Sequence, residues 1–114
     1  MSYHYNAVFL YGVHISDEYT KYVRSDTLER INYSPDCCGL YDICEAVFGN
    51  KLDIYYGMGS SVYIGFKAIL PYNQPKYTKD EMDQIIHSCL VELFDIKKAK
   101  TFKPNEIFEA WGDY

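Results

Sequence analysis

Apolar positions alternate along residues 5–15. Ala7, Phe9, Tyr11, Val13 and Ile15 fall on one side of an extended chain, and Val8 and Leu10 on the other. Apolar groups on both sides predict an interior strand, covered on both faces through its middle. Gly12 within it marks a bulge or the close approach of another backbone. The period then changes. Ser16-Asp17-Glu18 reads as a helix start, with acids where the helix dipole favours them. Tyr19, Tyr22 and Val23 share a stripe that Leu28 and Ile31 do not continue, so residues 17–32 predict one kinked helix or two short ones.

Ser34-Pro35 places a serine cap before a proline at the first helical position. Leu40, Ile43, Cys44, Val47 and Phe48 then recur at helical spacing up to Gly49, where a C-terminal cap belongs. Gly39 weakens the front of this helix and favours a start near residue 38. Residues 52–56 and 62–70 alternate as two strands. Val62, Ile64, Phe66, Ala68 and Leu70 share one side, and Tyr63, Lys67 and Ile69 the other. Gly57-Met58-Gly59-Ser60-Ser61 between them is a hairpin loop, and Pro71 and Pro75 bracket a second loop. Thr78-Lys79-Asp80-Glu81 is a capping box. It opens an amphipathic helix on Met82, Ile85, Ile86, Cys89, Leu90 and Leu93, predicted to end near Ile96. Residues 106–111 read as a closing strand in preference to a short helix.

This order predicts one α+β domain over residues 1–114. A three- or four-stranded antiparallel or mixed sheet carries helices on one face, with a ferredoxin-like split β-α-β order preferred. Composition agrees: 48% of the 114 residues are apolar, enough for one core without a disulfide or metal staple. A formal charge of −5 disfavours non-specific attraction to nucleic acid or anionic membrane, both polyanions. Cys37, Cys38, Cys44 and Cys89 form no C-x-x-C pair, and neighbouring Cys37 and Cys38 do not easily bond to each other. The first residues lack a basic, apolar leader, and the longest apolar run, residues 7–11, is too short to span a bilayer. Free thiols in a reducing, intracellular compartment are the expectation.

Candidate chemistry is thin. His4, His14 and His87 join the four cysteines as possible metal ligands, without the close pairs of a zinc site. His4 and His14 lie about 33 Å apart on an extended strand, and Cys44 and Cys89 fall on apolar stripes. Cys37 and Cys38 lie near a predicted helix start that lowers thiol pKa values, but no nucleophile motif surrounds them. The 57–61 loop has two glycines yet leads into a strand, so it lacks the helix N-terminus of a phosphate cradle. Asp80, Glu81 and Asp83 suit the first turn of a helix without any chemistry. We therefore assign no catalytic, cofactor-binding or metal residue, and expect no cofactor.

Thirteen tyrosines change the picture more than any motif. An apolar ring with a polar tip suits half-wet contact surfaces. The expected function is a non-enzymatic protein–protein interaction or self-associating module, with a protein partner or a homodimer formed through an edge strand. The expected exposed rings are among Tyr3, Tyr55, Tyr63, Tyr72 and Tyr77, with Phe108 and Trp111 in the tail. Two alternatives stand beside it. Residues 8–13 (VFLYGV) resemble the first-strand motif of the RNA-recognition motif, and residues 62–66 (VYIGF) its third-strand motif. That resemblance implies single-strand nucleic-acid binding, with Phe9 and Tyr63 stacking bases and Lys97, Lys98, Lys100 and Lys103 meeting phosphates. The other alternative is a small enzyme pairing Cys37 or Cys38 with a histidine. The lean towards Tyr, Ile, Asn and Lys resembles that of small orphan proteins of large DNA viruses or phages.

Overall fold

The computed structural model describes residues 4–32, 39–67 and 77–113. Strand β1 (His4–Ile15) leads into a 3-10 turn (Asp17–Tyr22) and helices α1 (Ser25–Arg30) and α2 (Leu40–Phe48). A hairpin of β2 (Asp53–Tyr56) and β3 (Val62–Lys67) follows, then α3 (Lys79–Leu93), α4 (Ile96–Ala99) and β4 (Asn105–Asp113). The four strands form one antiparallel sheet in the order β2-β3-β1-β4. β1 and β3 are therefore interior, and β2 and β4 are the edges. Each helical connection joins strands that have another strand between them.

The helices pack on one face. Val13 and Ile15 of β1 and Val62 and Ile64 of β3 meet the apolar stripes of α2 and α3 in a single core. Phe48, Ile43, Ile86 and Leu93 are all fully buried there. Burying such a side chain contributes about 1.5–3 kcal/mol, so this layer holds the fold together. The alternation of β1 and β3 and the 3- and 4-residue spacing of the two helices carry that arrangement directly.

Gly12 marks a close approach. It lies opposite Gly65 in the β1–β3 register. A Cβ on Gly12 would sit 1.9 Å from the Ile64 carbonyl oxygen, and one on Gly65 would sit 2.2 Å from that of Tyr11. Leu10 extends its Cδ1 into the recess, 2.7 and 2.9 Å from those two positions, and is itself buried on the face away from the helices.

The 17–32 segment breaks into two short helices, and the start of the second is anchored to the last turn of α3. The Arg24 amide donates to Leu93 O at 3.0 Å and its guanidinium to Val91 O at 3.2 Å. The Thr27 hydroxyl donates to Glu92 O at 2.6 Å. These are carbonyls at the end of α3, where no further turn of helix exists to use them.

Several boundaries differ from expectation. The Ser34-Pro35 start lies outside the described residues; α2 runs from Leu40 with Gly39 as its cap, and the Asp42 carboxylate accepts from the Gly39 amide at 3.2 Å. Gly49 does cap α2, but in a right-handed conformation (φ −61°). What it supplies is space, since a Cβ there would lie 2.5 Å from Glu45 O. The capping box forms as read, with Thr78 and Glu81 exchanging bonds of 3.0 and 3.2 Å. α3 stops at Leu93 instead of near Ile96, because Phe94 leaves the helical region (φ −111°, ψ −98°) and Asp95 caps the separate turn α4. Described β3 ends at Lys67, and positions 68–70 lie outside. Among the described residues, no helix is long and apolar enough to cross a membrane.

Candidate functional site

Three rings line up across the helix-free face. The registers place His14 opposite Tyr63, and Tyr63 opposite Tyr55. His14 stacks on Tyr63 with ring centres 4.5 Å apart. Leu10 and Tyr63 form a small second core with Tyr55 and Ile107. Burial, and then the nearby Asp53 carboxylate, push the Tyr55 phenol above its ordinary pKa. Tyr63 is a correction to the sequence reading: expected as an exposed ring, it is only 8% exposed. Leu10, lying over the glycine pair, gives it an apolar neighbour, and the imidazole of His14 covers its face.

The other contact candidates scatter. Tyr77 is half-buried and meets Phe66 edge-on at 5.5 Å, on the side of the sheet that carries the helices. Phe108 stands on β4 opposite Phe9 and is 67% exposed. Trp111 takes its place on β4 opposite Asn6, with its ring outside the described part. Tyr3 and Tyr72 lie outside the described residues. The structure thus brings Tyr55 and Tyr63 together and separates them from Tyr77. Phe9 holds the register parity of Tyr11 and Val13, whereas Tyr63 holds that of Leu10 and His14. The two base-stacking positions implied by the RNA-recognition resemblance are of opposite parity.

Other rings are used within the chain, which the sequence reading missed. The Tyr11 hydroxyl donates to Asp83 Oδ1 at 2.5 Å, tying β1 to α3. Burial, reinforced by Asp83, pushes that phenol up to about 12. Tyr41 of α2 stacks on Tyr56 of β2 at 3.9 Å, nearly parallel. Tyr19 meets Phe94 and Phe102 edge-on. The Lys98 ammonium lies 3.9 Å from the centre of the Tyr22 ring, so one member of the lysine run is engaged by an aromatic face. Each pair joins residues from separate elements, so no local spacing announces it.

The two described thiols share the core, where Cys89 adds to the upward push on Cys44. Cys44 and Cys89 are free and buried. Burial pushes their thiols up to about 12 and about 11 respectively, away from the thiolate a nucleophile needs. A cleft of about 500 Å³ reaches Cys89 between Lys51, Gln84, Ile85, Ser88 and Glu92, with no histidine among the described residues that line it. Cys37 and Cys38 lie outside the described residues. Among the described residues, no three His, Cys, Asp or Glu side chains are grouped as for a metal ion.

The sheet edges differ in kind. β2 has four residues, and the Asp53 carboxylate extends its pairing by accepting from the Lys67 amide at 2.9 Å. β4 has nine residues, and its outer side meets no strand among the described residues. Edges are commonly blunted by shortness, lysine or proline. β4 has none of these within it; its charges are Glu106, Glu109 and Asp113, and Pro104 precedes it. Comparison of the chain with protein-family models, with curated proteins and with solved structures finds no match in any of the three.

Proposed function

We propose that this protein is a non-enzymatic protein-contact module whose contact element is the outer edge of β4. The observation that carries this reading is a nine-residue edge strand bearing a phenylalanine that is 67% exposed. Main-chain N–H and C=O groups along such an edge accept an added strand, and an exposed ring adds area to the contact. The partner is a protein strand, first of all another copy of the chain. The strand order supports a ferredoxin-like split β-α-β reading of the domain, in which this edge is the last strand. The buried free thiols of Cys44 and Cys89 support a reducing, intracellular setting.

Amide exchange read residue by residue in dilute and in concentrated protein tests the contact. The reading predicts that alternate β4 amides slow markedly on concentration while those of β2 do not change. β4 amides that stay equally open throughout would sink it.

A second reading, binding of single-stranded nucleic acid, draws on the His14-Tyr63-Tyr55 row on the helix-free face. It predicts salt-sensitive binding of single-stranded oligonucleotides. No change in oligonucleotide anisotropy at low salt removes it.

A further inference from the structure

We infer that the 3-10 turn Asp17–Tyr22 and helix α4 together form a binding site for an oligophosphate anion, held by Lys21, Lys97, Lys98 and Lys100 around the Tyr22 ring. No part of this site belongs to β4. Two elements far apart in sequence meet at one ring. The Lys98 ammonium lies 3.9 Å from the centre of Tyr22 and 5.5 Å from that of Tyr19, and the two rings are tilted against each other at 5.7 Å. Lys21, from the other element, brings its ammonium to 5.3 Å from the same Tyr22 centre. The two ammoniums are therefore no farther apart than those two distances laid end to end. Lys97 and Lys100 flank Lys98 along the chain, and both are exposed. Like charges gathered in this way repel one another. The ring offsets part of that repulsion for Lys21 and Lys98, and a multiply charged anion would offset the rest.

The acids nearby do not neutralise the cluster. The only ion pair among the described residues is Arg24–Asp26. Asp95 turns its carboxylate to the Lys98 amide at 2.6 Å, and Asp17 and Glu18 stand at the other end of the 3-10 turn from Lys21. In a chain of formal charge −5, these lysines are a local reversal of sign. Their chemistry then selects the anion. Lysines meet phosphate oxygens as point charges, without the planar fork that fits a single carboxylate. The neighbouring guanidinium of Arg24 is already closed on Asp26 at 2.7 and 3.1 Å. Several cations about one centre match an anion that carries several charges on one short chain. An acidic peptide holds its charges on separate flexible side chains, which cost more entropy to gather. The Tyr22 face carries Lys98, so it is no free platform for a nucleobase. The recognised group is the phosphate chain itself, free or at the end of a nucleotide.

The test titrates the full chain at low ionic strength with tripolyphosphate, adenosine triphosphate, a hexaglutamate peptide and a single-stranded oligonucleotide. NMR signals of the Tyr22 ring and of the lysine side chains report the site. Tripolyphosphate is expected to shift Lys21, Lys98 and Tyr22 together, and to lose affinity about tenfold as salt is raised through the physiological range. Lys21→Gln and Lys98→Gln are each expected to weaken it about fivefold, and Lys51→Gln, on the α2–β2 turn, by less than about twofold. The two phosphate compounds are expected to bind alike; adenosine triphosphate binding much tighter identifies a nucleotide as the source of the chain, and much weaker a free oligophosphate. Hexaglutamate binding as tightly as tripolyphosphate overturns phosphate as the recognised group. An oligonucleotide binding at least about tenfold tighter through the same lysines overturns the short anion in favour of a nucleic-acid backbone. Shifts spread evenly over all lysines, an equal loss in Lys51→Gln, or no binding at low ionic strength overturn the site.

Discussion

The β2 edge is four residues, each engaged by the body of the protein, whereas the β4 edge runs nine residues and carries an exposed aromatic ring. Ile54 of β2 packs on the main core, Tyr55 joins the small second core, Tyr56 stacks on Tyr41, and Asp53 closes the pairing with β3. β4 pairs with β1 through a register that runs from His4–Asp113 to Gly12–Asn105, and its Ile107 packs on the small second core of Leu10 and Tyr63. An edge consumed by internal contacts has little left to offer a partner. An edge that is long, without lysine or proline, and that meets a strand on one side only among the described residues leaves its outer hydrogen-bonding groups open to an added strand.

The most disruptive test of this comparison removes the frame that both edges share. Gly65→Val should cost about 3 kcal/mol or more in urea denaturation, because its side chain meets the Tyr11 carbonyl and the Gly12 Cα. Both edges should be lost in one transition. Next, Ile54→Ala should cost about 2 kcal/mol through lost core packing. Phe108→Ala should stay within about 0.5 kcal/mol in dilute protein, since the ring is exposed. Equal costs at the two positions would erase the distinction between the edges. Asp53→Ala should lower stability by about 1 kcal/mol, by leaving the Lys67 amide without its acceptor.

The smallest effect lies between the edges, at Tyr11. Its phenol is held neutral by burial and then by the bond to Asp83, with Glu106 of β4 adding to the same direction. The folded value, about 12, exceeds the ordinary value of 10.0. Its contribution is therefore intact below pH 10 and is lost as pH climbs through about 12. Urea midpoints followed across that window should fall less steeply for Tyr11→Phe than for the native chain. Identical slopes would remove the role given to the Tyr11–Asp83 bond.

The layers of this fold were legible because each rests on local periodicity. Alternation in β1 and β3 and helical spacing in α2 and α3 name the core residues, and the Thr78–Glu81 capping box marks its helix start to the residue. Gly12 announced a close approach, although its partner Gly65 gave no signal of its own, because register is a property of two strands. The ends of elements were less legible. α3 breaks at Phe94, where Asp95 captures the Lys98 amide, and that competition is decided by tertiary packing as much as by the local chain. The contact surface was the least legible part. A tyrosine on a strand has the same local pattern whether it stacks on His14, as Tyr63 does, or meets water. Phe108, on an edge strand, is 67% exposed as expected.

The most direct measurement is the molar mass of the native chain and of Phe108→Glu by light scattering over a wide concentration range. Far-UV circular dichroism of the variant would confirm its fold. Pairing along the β4 edge predicts that the native mass climbs from one chain towards two while the folded variant stays at one, because a carboxylate in place of the ring opposes burial of that edge. A native chain that remains single at every concentration, or a variant that doubles equally well, would contradict it.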